Sequence, residues 1–247
     1  MANLVIDIGN TFTKIAVFDK DKLLLTEHFT TVSINTLNNF LTAHFIDNAI
    51  ISSVKKDKEE WQTVLQQKTQ LTYFSASMTT DIHNHYTTPQ TLGLDRLAAV
   101  TGAKYLYPDK NNLVIDGGTC ITYDYVDSEG NYFGGSISPG LTMRYNALNY
   151  FTSALPLVNA DDKFKDGYGS STTTAIQSGV QNGVKYELTG FIEQYTKNGQ
   201  QLNIILTGGD SIFFDTLLKN SIFAPYIKIE PHLVLKGLNA AIQKHND

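Results

Sequence analysis

The sequence predicts an α/β protein made of two consecutive βββαβα units, and three observations lead there. The chain has 247 residues, room for two units of about 120 each. Twice along it, β-rich runs joined by tight turns give way to stretches with helical spacing of apolar residues. The same opening also occurs twice, at Asp7 and at Asp116: an apolar run, Asp-x-Gly, a threonine, then a second apolar run. The expected units are 1–110 and 111–247, with Pro108-Asp109-Lys110-Asn111-Asn112 as the junction.

In the first unit, residues 4–8, 14–19 and 22–31 read as an antiparallel meander, its turns at Gly9-Asn10-Thr11 and Asp19-Lys20-Asp21. From Ser33, a natural N-cap, Leu37, Phe40, Leu41, His44 and Phe45 fall on one helical face. Residues 49–54 read as a buried strand, 56–68 as a helix around Trp61, Val64 and Leu65, and 71–76 as a strand. The second unit repeats the order. Strands at 113–116, 120–126 and 132–137 are followed by helices near 140–150 and 172–197, the latter with Ile176, Val180, Val184, Leu188 and Ile192 on one face. Strand 202–207, helix 210–219, strand 226–229 and a helix from about 232 complete it.

Composition narrows the function. Nineteen basic and twenty-four acidic side chains give a charge of −5, and the densest basic run, Lys55-Lys56-Asp57-Lys58, is broken by acid. Nucleic-acid binding, which needs a basic face, is disfavoured. A single cysteine, Cys120, excludes an intrachain disulfide and any multi-cysteine metal site, and is expected to be a small buried residue. With no apolar run near the ~20 residues that span a membrane, the expectation is a soluble, cytoplasmic protein. His83 and His85 alternate as metal ligands can, but no neighbouring Cys or Glu completes a set.

The chemistry concentrates at the two repeated turns. Asp7-Ile8-Gly9-Asn10-Thr11-Phe12-Thr13-Lys14 joins strand to strand, which excludes a P-loop opening a helix. Glycine still lets turn amides approach an anion. Thr11 adds a hydroxyl, Lys14 a cation, and Asp7 a carboxylate able to hold Mg²⁺ directly or through water. Asp116-Gly117-Gly118-Thr119 mirrors it. Paired phosphate-type hairpins across a cleft, with a strand running into Gly-Gly at Ile204-Ile205-Leu206-Thr207-Gly208-Gly209-Asp210, resemble the superfamily of sugar kinases, heat-shock ATPases and actin. That resemblance implies duplicated ribonuclease H-like (actin-like) domains with mixed sheets and an interdomain ATP cleft.

Between the hairpins lies Tyr86-Thr87-Thr88-Pro89-Gln90-Thr91-Leu92-Gly93-Leu94-Asp95-Arg96. Read locally, Asp95 is an N-cap and Arg96 a surface charge. Read chemically, Asp95 is a base for an alcohol and Arg96 a clamp for carboxylate or phosphate.

The chain resembles type III pantothenate kinases. The resemblance rests on Asp7-x-Gly-Asn-Thr-x-x-Lys14, Tyr86-x-x-Pro-x-x-Leu-Gly93-x-Asp95-Arg96, Asp116-x-Gly-Thr119, Gly134-Gly135-Ser136-Ile137-Ser138-Pro139-Gly140, and Thr172 seven residues before Gly179. It implies transfer of the ATP γ-phosphate to the terminal hydroxyl of pantothenate, the first step towards coenzyme A. By position, Asp95 matches the catalytic base. Tyr86, Gly93, Leu94, Asp95, Arg96 and Thr172 match the pantothenate positions, while Asp7 to Lys14 and Thr119 match the ATP contacts. Asp116 matches a ligand of a monovalent cation, K⁺ or NH₄⁺. A homodimer with the acid pocket near its interface is implied too. The segment Gly167-Tyr168-Gly169-Ser170-Ser171 departs from the pattern by lacking the basic and Asn residues expected before the threonine, and Thr172-Thr173-Thr174 leaves its register open by one residue. A kinase for another hydroxy acid on the same fold keeps both hairpins, and a non-catalytic regulator would have lost Asp95 or a hairpin. The hairpins alone leave the first alternative open; against the second, Asp95 and both hairpins are present.

Overall fold

The computed structural model describes residues 2–53, 59–78, 80–196 and 202–246. The basic run at 55–58 and the expected start of the second helix lie outside them. In chain order the strands are β1 (Ala2–Ile8), β2 (Thr13–Asp19), β3 (Lys22–Phe29), β4 (Ile46–Ser53), β5 (Gln70–Tyr73), β6 (His83–Asn84), β7 (Asn111–Gly117), β8 (Cys120–Val126), β9 (Asn131–Pro139), β10 (Leu202–Thr207) and β11 (Ile227–Ile229). The α-helices are α1 (Ile34–Ala43), α2 (Glu60–Lys68), α3 (Leu94–Leu106), α4 (Leu141–Tyr150), α5 (Thr172–Thr196), α6 (Ser211–Leu218) and α7 (Leu233–Asn246).

These elements form two compact units: residues 1–109, 129–133 and 232–247, and residues 110–128 and 134–231. The first unit's sheet has the order β3-β2-β1-β4-β5. β1 runs antiparallel to β2 and parallel to β4. The second unit's strands follow the same order, β9-β8-β7-β10-β11, with β7 antiparallel to β8 and parallel to β10. The duplication expected from sequence is therefore a duplication of topology. Asn131 and Tyr132, at the start of β9, group with the first unit and pair there with β6.

Each central strand is apolar on both faces because both faces are covered. Leu4, Val5 and Ile6 of β1 are fully buried, as are Leu113, Val114 and Ile115 of β7; each such side chain contributes roughly 1.5–3 kcal/mol on burial. One face of β1 meets the cluster containing Leu37, Phe40, Trp61 and Leu65 from α1 and α2. Ser33 caps α1, its side chain accepting from the Thr36 amide at 3.0 Å. The expected stripe is cut short because His44 turns extended and caps the helix, its N–H donating to Phe40 O. Phe45 is left 98% exposed instead of packed.

The second departure concerns the unit boundary. The chain does not divide into two consecutive stretches, because α7 packs against α3 and β1 in the first unit. Its apolar residues Leu233, Leu235, Leu238 and Ile242 are buried, and buried Asn239 Oδ1 accepts from Asn3 Nδ2 at 3.0 Å. In the second unit, the apolar face of α5 is as expected, but it is spent on its own core: Val184, Leu188 and Ile192 are fully buried beside Leu113 and Ile115. No helix among the described residues is long and apolar enough to cross a membrane.

Candidate functional site

In the first unit, the β1–β2 turn is closed by Gly9 N–H donating to Phe12 O at 3.0 Å. Asp7 lies one residue before the end of β1, its side chain buried, in register with Lys14 on β2 and Ser52 on β4. Ile8 and Thr13 are buried at the strand ends, whereas Asn10, Thr11 and Phe12 project from the turn into solvent. The turn thus exposes polar groups beside a carboxylate held by a rigid strand.

The approach to α3 is built from short local bonds. Asn84 Oδ1 accepts from the Tyr86 amide at 3.0 Å, a 3₁₀ turn spans Pro89–Thr91, and buried Leu92 anchors the chain. Gly93, not Asp95, is the N-cap of α3. Asp95 sits in the first turn with its carboxylate against Gly93: a Cβ there would lie 2.5 Å from Asp95 Oδ1. That oxygen accepts from the Arg96 amide at 2.8 Å, so the positive end of α3 faces the carboxylate. Arg96 is no surface charge; it is only 6% exposed, its guanidinium 5.8 Å from the centre of the Tyr86 ring. The structure therefore brings Tyr86, Gly93, Leu94, Asp95 and Arg96 into one short stretch, with a buried cation beside an aromatic face. Neighbouring His85 stacks on Phe133 at 4.6 Å and meets Asn131 Oδ1 at 3.0 Å.

In the second unit, two loops pin the Asp116 hairpin. Asp210 N–H donates to Gly117 O at 3.0 Å, and Gly140 N–H to Thr119 O at 3.1 Å. Gly208 has φ +82°, and a Cβ on it would lie 2.2 Å from Asp116 Oδ1 and 2.3 Å from Gly117 O. Only glycine takes this backbone conformation without strain and leaves that space open. Thr119 is exposed at the tip and Cys120 is half-buried, less enclosed than expected. Thr172 is the exposed first residue of α5. Thr174 serves the helix end instead, its hydroxyl accepting from the Ser170 and Ser171 amides at 3.0 and 2.9 Å. That difference separates Thr172 from Thr174, although Thr173 is exposed as well.

Comparison with known proteins fits this geometry. The profile of a family described as type III pantothenate kinase matches residues 3–194. The type III pantothenate kinase of Phocaeicola vulgatus is 44% identical over 249 aligned positions, covering 99% of each chain. The chain belongs to the type III pantothenate kinase family. Among solved structures, a protein proposed to be a Baf family transcriptional activator from Campylobacter jejuni aligns with a TM-score of 0.62 at 21% identity, covering 98% of each chain. The ADPNP-bound activator of 2-hydroxyisocaproyl-CoA dehydratase from Clostridium difficile aligns at 0.59 and 12% identity, over all of this chain and 96% of its own. At such identities these likenesses concern the fold, which is that of actin-like ATPases and sugar kinases.

The family motifs leave three polar residues unmentioned: Tyr123, Arg144 and Glu187. Tyr123 OH donates to Glu187 Oε1 at 2.8 Å, and Arg144 donates to Glu187 Oε2 at 2.5 Å. Their pairing spans β8, α4 and α5, so spacing along the sequence carries no sign of it.

As for cations, no three His, Cys, Asp or Glu side chains gather among the described residues. Asp116 Oδ1 and Gly117 O both lie against the Gly208 backbone; these carboxylate and carbonyl oxygens would suit a hard cation completed by water and phosphate rather than an all-protein cage. Half-buried Asp210 adjoins Gly117, and burial alone raises the Asp210 carboxyl above the ordinary 3.8. The unfolded chain therefore ionises this group more readily. Stability is lost as pH rises through the interval between the two values, and the whole cost is present at neutral pH. Asp210→Asn is expected to raise the melting temperature at pH 7 and to leave it unchanged near pH 3. Thermal unfolding at both pH values checks this, and a lower melting temperature at pH 7 would contradict it.

Proposed function

We propose that this chain phosphorylates the terminal hydroxyl of pantothenate with ATP, giving 4′-phosphopantothenate in the first step of coenzyme A biosynthesis. The observation that carries the reading is the Tyr86–Arg96 stretch, where a carboxylate in the first turn of α3 is followed by a buried arginine beside the Tyr86 ring. In this reading the hairpins at Asp7–Lys14 and Asp116–Thr119 hold the nucleotide phosphates. The pantothenate hydroxyl oxygen bonds to the γ-phosphorus, the bond from that phosphorus to the β,γ-bridging oxygen breaks, and ADP leaves. The hydroxyl proton passes to the Asp95 carboxylate. Arg96 pairs with the pantothenate carboxylate, which needs a fixed bidentate donor, and the Tyr86 ring holds its guanidinium in place.

Asp7 would hold Mg²⁺, directly or through water, and Asp116 a K⁺ or NH₄⁺ ion. When bound, these cations neutralise charge on the phosphate oxygens.

The functional unit in this reading is a homodimer. Thr172, Gly179, Gly183, Tyr186 and Gly190 form one stripe along α5, and a Cβ at any of the three glycines would meet nothing within 4 Å. Each mid-helix glycine costs about 1 kcal/mol against alanine, with no steric reason among the described residues. A second copy packed along the stripe supplies the reason and brings Thr172 to a shared acid pocket. The exposed Tyr150, Phe151 and Tyr186 suit such a contact.

Asp95→Asn keeps the shape of the side chain and removes its basicity. It is expected to lower kcat about a hundredfold or more with the fold retained; a coupled assay of ADP release with pantothenate and other hydroxy acids checks both base and substrate, and near-normal turnover would overturn the role of Asp95. Activity should require Mg²⁺ and rise with K⁺ or NH₄⁺ over Na⁺, and Asp116→Asn should abolish that preference; an unchanged cation dependence would remove Asp116 from the role. Sedimentation should give about 55 kDa, twice the 27.4 kDa chain mass. A fully active monomer would refute the shared pocket.

A further inference from the structure

The corner between β9 and α4 closes over the Asp116 hairpin with no slack. A Cβ at Gly140 would lie 2.2 Å from Gly118 O and 2.4 Å from Thr119 O, and the Gly140 amide already holds Thr119 O. Whatever sets the position of this corner therefore sets the hairpin. A single side chain reaches across it. Arg144 donates from Nε to Pro139 O at 2.8 Å, and from Nη2 to Ser138 Oγ at 2.6 Å and to Glu187 Oε2 at 2.5 Å. Glu187 is fixed in turn by Tyr123 OH, whose ring is fully buried and stacks on Phe191 at 3.9 Å.

The charge state of this cluster is stable. Burial by itself would raise the Glu187 carboxyl, but the bonds from Arg144, Ser138 and Tyr123 outweigh it and hold the group below its ordinary value of 4.5. Burial and the Glu187 bond push the Tyr123 phenol well above its ordinary value, so it remains a donor. Planar guanidinium geometry is required because three acceptors in different directions are served at once, which a lysine ammonium on a flexible stem does poorly.

We infer that Arg144, held by Glu187, is a positioning residue that fixes the Asp116–Thr119 hairpin for nucleotide binding through the Pro139-Gly140 corner. This rests on the reading of that hairpin as a phosphate-binding element. It assigns a role to residues that touch neither substrate. Of the pantothenate positions, Tyr86 and Gly93–Arg96 belong to the other unit, and Thr172 is no partner of Arg144, whose bonds go to Ser138, Pro139 and Glu187.

The test compares the full-length protein with Arg144→Ala, Arg144→Lys and Glu187→Gln by two measurements. In amide hydrogen exchange of the ligand-free protein, residues 117–120 should exchange at least about tenfold faster in Arg144→Ala, while β1 and β4 keep their protection. In steady-state kinetics, KM for ATP should rise about tenfold or more, since small misplacements of binding groups are costly. KM for pantothenate should stay within about twofold. Guanidinium ion added to Arg144→Ala should restore part of the ATP affinity, and Arg144→Lys should not behave as wild type. Unchanged exchange at 117–120, or equal rises in both KM values, would overturn the assignment. Faster exchange with an unchanged KM for ATP, in this variant and in Thr119→Ala alike, would instead overturn the phosphate-binding reading and leave the clamp standing.

Discussion

The placement of both hairpin carboxylates depends on where a central strand ends. In both sheets the first strand of the repeat has an antiparallel neighbour on one side and a parallel neighbour on the other. A strand apolar on both faces cannot keep a carboxylate in its middle without a partner. The aspartate must come at the carboxyl end, beside the carboxyl end of the parallel neighbour: Asp7 opposite Ser52, and Asp116 opposite Thr207. Loops following parallel strands converge at that edge, which is why open α/β sheets place ligands there. The Gly9 turn furnishes that edge in the first sheet; the Gly117–Gly118 hairpin, the Gly208 turn and the Gly140 corner furnish it in the second.

That dependence explains what could be read from the chain beforehand. Period-2 and period-3.6 patterns report burial within one element, so the strands around Asp7 and Asp116 and the buried face of α5 were legible. Ser33 was legible because capping is a contact over three residues. Asp95, read locally as the cap, stands two residues beyond it, in the first turn. A cap is chosen by backbone conformation as well as by side chain, and Gly93 takes that place with φ −58° and ψ 125°. The local reading of Arg96 as a surface charge fails for a related reason: nearby sequence cannot show that the residue is buried, with its guanidinium beside the Tyr86 ring. Phe45 was assigned to a helix that stops two residues earlier. The cluster of Tyr123, Arg144 and Glu187 left no trace at all, since its members are 21 and 43 residues apart along the chain and meet only through the fold.

Electrostatics and stability pull in different directions at this edge. Asp210 is held in a half-buried place where ionisation is disfavoured, and Gly208 carries a conformation that an alanine would resist. Neither choice favours the isolated fold. Both are understandable if the edge exists to receive cations, whose charges offset those of the carboxylates and of phosphate oxygens alike. Arg144 and Glu187 are the opposite case: a partly exposed pair whose charges satisfy one another within the protein, suited to holding geometry rather than to titrating.

The grouping of α7 with the first unit has a consequence for biogenesis. α7 follows every other described element in chain order, yet it covers the buried face of α3 and lies against β1. On the ribosome, the first unit emerges early but cannot complete its core until α7 has been made. Until then the Ala98–Ala99–Gly102 side of α3 stays open to water, and to any other apolar surface nearby. The second unit, whose strands and helices all lie between residues 110 and 231, can close first. The order of closure is thus the reverse of the order of synthesis, and a nascent chain has to be kept from aggregating for nearly the whole of its translation.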